Sequence, residues 1–165
     1  MKKRGFGKGN WNGFGGKLEA GETFRQGTAR ELEEESGVTC APEDLKLRGR
    51  LDFEFGPEGA LEAIQTVAVY TVDEDLCKGE PAESEEMAPK WFEASMDTLP
   101  FDSMWPDDIY WFPSLLDPKE PDFKGLYRFE SLKSSKMTKE VLEVRAKAKG
   151  GEGDGSPFLT FPLDA

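Results

Sequence analysis

Three glutamates close to residue 30 constrain this chain more than any other feature of its sequence. Glu34 and Glu35 follow Glu31 by three and four residues, so in a helix all three lie on one face. At 100° per residue they span an arc of roughly 100°. Like charges this close destabilise a helix, whereas carboxylate oxygens suit a hard cation such as Mg²⁺ or Mn²⁺. Taken alone, the pattern fits either a metal site or a solvated acidic face.

The residues around the glutamates predict the ends of this helix. Thr23 and Gln26 fit a capping box at its start, and Gly37 fits the position just past its end. The 22 residues before the helix are rich in glycine and indicate a loop, with a short extended piece over Trp11–Phe14. Thr28, Ala29, Leu32 and Ser36 form a second face of the helix, suited to packing on a sheet.

A longer spacing pattern includes these glutamates. Gly16 is followed after five residues by Glu22 and, after seven more, by Arg30-Glu31-Leu32, then Glu34-Glu35 and Gly37-Val38. These positions match the Nudix box, so the chain resembles the Nudix hydrolases. The resemblance implies an α/β fold in which a mixed β-sheet lies between α-helices. It also implies Mg²⁺- or Mn²⁺-dependent cleavage of a phosphoanhydride bond in a nucleotide.

The same resemblance assigns roles to individual residues. It implies that Glu31, Glu34 and Glu35 bind the metal and that one of them orients or deprotonates the attacking water. The backbone carbonyl of Gly15 and the side chain of Glu86, from a separate loop, would complete the metal shell. Arg30 and Glu22 would form an ion pair that holds the loop against the helix.

Four further segments narrow the resemblance to one branch of the family. WNGFGGK at 11–17, FEF at 53–55, ESEEMAPKWF at 83–92 and MWPDDIYWFP at 104–113 resemble the oxidised-purine nucleoside triphosphatases, the animal MutT homologues. The resemblance implies conversion of 8-oxo-dGTP and 2-hydroxy-dATP to monophosphate and pyrophosphate, which sanitises the nucleotide pool. The implied substrate residues are Lys2, Asn12, Phe14, Gly16, Lys17, Phe53, Trp105, Pro106, Asp107 and Asp108.

The chemistry of the base-binding residues suits a purine, although each has a plainer interpretation. Trp105 offers a flat face whose stacking on a base contributes about 1–3 kcal/mol, but an aromatic residue is commonly part of a core. Asp107 and Asp108 could be ordinary acids at a helix start, or burial and mutual repulsion could keep one protonated. Asn12 and Phe53 could be a turn residue and a core residue. Glu86, Lys2 and Lys17 taken alone would be surface charges.

Composition narrows the functional classes. The 165 residues suggest one domain, and 21 basic against 33 acidic residues give a charge of −12, which disfavours nucleic-acid polymers and anionic membranes as partners. The absence of histidine excludes Ser–His and Cys–His nucleophile pairs. Cys40 and Cys77 are predicted to be two reduced thiols. We expect a cytoplasmic monomer, with mitochondrial or nuclear nucleotide pools as alternatives.

The remaining elements follow from local patterns. The sequence predicts strands at Leu47–Phe55, Ala63–Val72, Lys90–Phe92 and Phe123–Leu132, a turn at Gly56–Gly59, and a charged, helical segment at Lys133–Ala146. Pro106 is expected in the first turn of a helix. The Nudix domain is assigned to residues 1–146 and a disordered tail to 147–165. The family places a strand ahead of the segment that begins at Met1, so the sheet is expected to lack that strand.

Two alternative functions remain open. One is another Nudix activity, such as hydrolysis of dinucleoside polyphosphates or nucleotide sugars. The other is a non-catalytic nucleotide or protein binder, because a domain without its first strand has one ladder partner fewer.

Overall fold

The computed structural model describes residues 1–117 and 122–144. Its helices and longer strands, in chain order, are α1 (Phe24–Ser36), β1 (Lys46–Phe55), β2 (Ala63–Thr71), α2 (Asp108–Leu116), β3 (Phe123–Phe129) and β4 (Met137–Val144). No helix in these ranges has the length and apolar character needed to cross a membrane. The proposed tail at 147–165, and the domain boundary before it, lie outside the described residues.

Helix α1 begins and ends where its capping residues predict. The Gln26 backbone N–H donates to the Thr23 hydroxyl, and the Thr23 backbone N–H donates to the Gln26 side chain at 2.9 Å. Gly37 follows the helix with φ of 76°, a left-handed conformation that glycine adopts at little cost, and its N–H donates to the Glu33 carbonyl. Both predictions of the helix ends are therefore confirmed.

The four strands form one mixed sheet in the order β2-β1-β3-β4. β1 runs antiparallel to β2 and parallel to β3, and β3 runs antiparallel to β4. A parallel pair needs a long crossover connection, and the chain between β1 and β3 supplies it together with α2. The predicted α/β fold class with a mixed sheet is confirmed.

One face of the sheet carries most of the core. Leu51 and Phe55 on β1 and Phe123, Tyr127 and Phe129 on β3 are all buried. Trp111 of α2 stacks on Phe123 with ring centroids 5.7 Å apart, which anchors the helix to the sheet.

Two segments differ from their prediction. The described part of Lys133–Ala146, which ends at 144, is not helical: it contains β4, in which Leu142 lies opposite Gly125 and packs against the core. The charged residues of this strand obscured its alternation, although charges are common on edge strands. Lys90–Phe92 forms no strand, and its Lys90 ammonium lies 4.9 Å from the Phe92 ring centroid. Trp11–Phe14 lies in the predicted loop and belongs to no helix or strand.

A wide cleft separates α1 from much of the sheet. Thr28 and Leu32 of the predicted packing face line this cleft, and only Ser36 of that face is fully buried. Arg25 donates to the carbonyl of Leu45, the residue before β1, and lies 5.7 Å from the Tyr70 ring of β2. Within the described ranges β2 has a hydrogen-bonded neighbour on one side only. The cleft is therefore open along β2.

We expect Gly49→Ala to destabilise the sheet. A Cβ at Gly49 would overlap the Phe123 ring, which Trp111 backs, so the free energy of unfolding should fall by about 1–3 kcal/mol. Gly13→Ala is the matched control, because its Cβ would meet no atom within 4 Å. Urea denaturation of both variants measures the difference, and equal stability would contradict the packing described here.

Candidate active site

The guanidinium group of Arg30 organises the first part of the site. It donates to Glu22 at 2.8 Å, to Glu31 at 3.0 Å and to Glu34 at 3.1 Å. It also donates to the Lys17 carbonyl at 3.0 Å. The hydrogen bonds from Arg30 lower the pKa of Glu22. The predicted Arg30–Glu22 ion pair is confirmed, and it joins the glycine-rich loop to α1.

A second cation, Lys2, organises the other two acids. Its ammonium lies 2.7 Å from a Glu35 oxygen and 3.2 Å from a Glu86 oxygen. Burial lowers the pKa of Lys2, but these two carboxylates outweigh it and raise the pKa above its ordinary value. The Gly15 N–H donates to the other Glu35 oxygen at 2.9 Å, and Arg4 binds Glu86 at 2.6 Å. Carboxylates from the helix and from a distant loop thus meet around one positive charge.

These contacts bear on the predicted metal shell. In the described part of the chain, no three acidic, thiol or imidazole groups lie close enough together to hold a metal ion. The predicted metal shell of four glutamates stays a prediction, because here Arg30 pairs with Glu31 and Glu34 while Lys2 pairs with Glu35 and Glu86. The donors themselves are hard oxygens, and two of them already converge on a cation. Their chemistry fits a divalent ion.

Gly16 allows close approach between the loop and the helix. A Cβ at this position would overlap the Glu31 carboxyl group, so only glycine lets this carboxylate pack against the loop backbone. The neighbouring Lys17 is exposed, and its carbonyl receives a hydrogen bond from Arg30. The glycines of the loop therefore position a carboxylate of the helix.

Two buried aspartates form the opposite end of the site. Asp107 is 2% exposed and accepts a hydrogen bond from the Trp111 indole at 3.0 Å. Asp108 is 7% exposed and accepts one from the Trp105 backbone N–H at 2.9 Å. Burial, reinforced by the Asp107 charge, raises the pKa of Asp108 to about 8. Burial also raises the pKa of Asp107, although the hydrogen bond from Trp111 opposes this. Asp108 therefore holds a proton at neutral pH.

Trp105 presents an aromatic wall beside these acids. Its ring stacks on Phe6 with centroids 4.9 Å apart and an interplanar angle of 20°, and it meets Phe129 edge to face. Phe6, which is 53% exposed, was not among the predicted site residues. A phenylalanine between two glycines, Gly5 and Gly7, was the sequence signal that could have pointed to it.

One cleft of about 1780 Å³ connects the two ends of the site. The predicted residues that line it are Lys2, Asn12, Phe14, Gly15, Gly16, Lys17, Glu31, Glu34, Glu35, Phe53, Glu86, Trp105, Asp107 and Asp108. Pro106 is exposed and does not line the cleft. It lies in the turn before α2 rather than in the first turn of that helix, so its predicted place was wrong. The cleft therefore runs from the carboxylates of α1 to the buried acids beside Trp105.

The sequence of this chain is similar to a family model and to proteins of known name. A family model described as the NUDIX domain matches residues 1–115. The chain is 48% identical over 130 residues to the oxidized purine nucleoside triphosphate hydrolase of Danio rerio, covering 79% of this chain and 76% of that protein. The protein of the same name from Mus musculus is 46% identical with the same coverage.

A solved structure has the same fold. The crystal structure of the mutator MutT protein from Bacillus halodurans superposes with a TM-score of 0.69 at 23% identity, covering 82% of this chain and 83% of that one. The superposition shows a common fold, and the family model together with the relatives establishes that the chain belongs to the Nudix family of hydrolases.

We expect Asp108 to make the protein less stable as the pH rises. Its pKa is 3.8 for the unperturbed group and about 8 in the fold, so between these values only the folded chain holds the proton. The free energy of unfolding should then fall between pH 5 and pH 8, by on the order of a few kcal/mol.

Asp108→Asn should remove most of this pH dependence, because the amide cannot ionise. Urea unfolding at several pH values provides the measurement, and Asp102→Asn, at an exposed aspartate, is the control. An unchanged slope in Asp108→Asn would contradict the assignment of a buried, protonated carboxyl.

Proposed function

We propose that this Nudix protein hydrolyses oxidised purine nucleoside triphosphates, such as 8-oxo-dGTP and 2-hydroxy-dATP, to monophosphate and pyrophosphate. The observation that carries the proposal is the buried Asp107–Asp108 pair beside Trp105, which shares a cleft with the carboxylates of α1. The names of the zebrafish and mouse relatives support the same substrate class. The charge of −12 favours a free nucleotide over a nucleic-acid polymer.

The base would bind at the aromatic end of the cleft. Trp105 would stack on the purine, and Phe6, which now covers a face of that ring, would move aside or cover the other face of the base. A protonated Asp108 donates a hydrogen bond, and an ionised carboxylate accepts one. Exchange of these roles between Asp107 and Asp108 would let one pocket bind oxidised guanine and oxidised adenine. Asn12 adds a donor and an acceptor for the base edge.

The triphosphate would extend towards α1. Glu31, Glu34, Glu35 and Glu86, with the Gly15 carbonyl, would hold Mg²⁺ or Mn²⁺, which supplies charge neutralisation for the phosphates and a lower pKa for bound water. Binding requires that these carboxylates exchange their contacts with Arg30 and Lys2 for the ion.

The released cations would have a new role. Once freed from Glu35, the ammonium of Lys2, which lines the same cleft, can pair with phosphate oxygens. Lys17, exposed beside α1, could do the same. One of the glutamates would orient the attacking water and accept its proton. Direct attack by water needs no covalent intermediate, which is consistent with a chain that has no histidine.

The activity is tested by measuring pyrophosphate release from 8-oxo-dGTP in the presence of Mg²⁺. We expect turnover that EDTA abolishes, and a loss in kcat of at least about 100-fold in Glu34→Gln. Glu33→Gln is the matched control, because Glu33 is an exposed glutamate of the same helix on a different face, and it should retain full activity. Absence of turnover by folded protein would support a non-catalytic binder.

The purine pocket is tested by substrate preference. Asp108→Asn should lower the ratio of kcat/KM for 8-oxo-dGTP to that for dGTP by about 10- to 100-fold, since an amide cannot exchange its proton and a mismatched buried contact costs roughly 1–3 kcal/mol. Asp102→Asn should leave the ratio unchanged. A preference that survives in Asp108→Asn would instead favour another Nudix activity.

A further inference from the structure

The two cysteines lie on segments that pair with each other. Thr39 and Lys78 form an isolated antiparallel bridge, with both backbone hydrogen bonds made, at 2.9 and 2.8 Å. The Ala82 N–H also donates to the Ser36 carbonyl at 2.8 Å, one residue out of register with the bridge, so the two segments stay adjacent on its far side. Cys40 and Cys77 therefore occupy the next position of this antiparallel pair, one residue beyond the bridge on each segment.

This position brings the two side chains together. The neighbour of a doubly hydrogen-bonded pair is a non-hydrogen-bonded pair, whose Cα atoms lie about 4.5 Å apart with side chains on the same face. A disulfide requires Cα atoms roughly 4.4–6.8 Å apart. Cys77 has extended backbone angles, as does Ala41, which follows Cys40. The backbone geometry is therefore compatible with a bridge between the two cysteines, for which the Cys77 thiol must give up its hydrogen bond to the Asp73 carbonyl.

The surroundings of the thiols agree with this proximity. Burial raises the pKa of the Cys40 thiol, and Cys77 and then Asp44 raise it further. Burial, Glu74 and the same Asp44 raise the pKa of Cys77. Both side chains are half-buried rather than enclosed, so a small oxidant can reach them.

We propose that Cys40 and Cys77 form a reversible intramolecular disulfide when the protein meets a peroxide. One thiolate attacks hydrogen peroxide to give a sulfenic acid and hydroxide. The second thiol then attacks that sulfur, the S–S bond forms, and the sulfenic oxygen leaves as water. The net change is two thiols and one peroxide to one disulfide and two waters, and a dithiol reductant reverses it.

The crosslink would act on the two chain segments that carry the proposed metal ligands. Cys40 lies just beyond the end of α1, which carries Glu34 and Glu35, and Cys77 begins the stretch that leads to Glu86. A bond between them lowers the conformational entropy of the unfolded chain and holds the end of the helix against that stretch. The oxidised form should therefore unfold at a higher temperature, with Tm higher by roughly 3–10 °C. Because the pKa of each thiol is raised, the reaction should accelerate as the pH increases.

The experiment treats the full chain, natively folded, with a small excess of hydrogen peroxide and follows its intact mass. We expect a loss of about 2 Da, the two thiol hydrogens. Proteolysis without reductant should give one peptide pair joined through Cys40 and Cys77, and dithiothreitol should restore the original mass. These readouts do not depend on nucleotide hydrolysis, so the outcome is separate from that of the proposed function.

Single substitutions provide the controls. Cys40→Ser and Cys77→Ser should each lose the 2 Da product and the rise in Tm, and should accumulate oxygen adducts or a disulfide-linked dimer instead. The proposal is overturned if the folded wild-type chain yields only oxygen adducts or dimers. It is equally overturned if the intramolecular bond forms only after unfolding in urea.

Discussion

The ion-pair network of Arg30 is the interaction on which the candidate site depends. A glycine-rich loop loses a large amount of conformational entropy when it is ordered, and this loop must lie against α1 to present Gly15 and Gly16. Arg30 supplies charge-assisted hydrogen bonds from the middle of the helix to Glu22 and to the Lys17 carbonyl. The same guanidinium group holds Glu31 and Glu34. One side chain therefore both orders the loop and relieves the repulsion between two acids of the helix.

At the other end of the cleft, the carboxyl groups bind neutral N–H donors instead of cations. Asp107 and Asp108 are nearly enclosed, and they accept hydrogen bonds from the Trp111 indole and from the Trp105 backbone N–H. Burying two carboxyl groups in this way is unfavourable unless one of them is protonated. Carboxyl groups with raised pKa values are common at functional sites. A carboxyl that can donate is useful for recognising a base, which is the role proposed for Asp108.

The sequence predicted the features that depend on residues close together in the chain, and it missed those that depend on residues far apart. The caps of α1 depend on residues within four positions of one another, and they were predicted correctly. β4 was not predicted, because its position depends on pairing with β3 and on the contact of Leu142 with the core. Phe6 was missed because a single aromatic residue in a glycine-rich loop has no periodicity to identify it. The pairing of Cys40 with Cys77 depends on a backbone register that their separation in the sequence conceals.

The sequence alone determined the helix, its caps, the face that carries Glu31, Glu34 and Glu35, and the spacing that identifies the Nudix family. These features depend only on local hydrogen bonds and on fixed distances along one helix, so they can be identified without the rest of the fold. Only the tertiary structure decided which cation each carboxylate binds, how deeply Asp107 and Asp108 are buried, and which residues face each other across the cleft. Charge pairing and desolvation depend on distances between residues far apart in the chain, and those distances are set by the packing of the sheet, the helices and the loop.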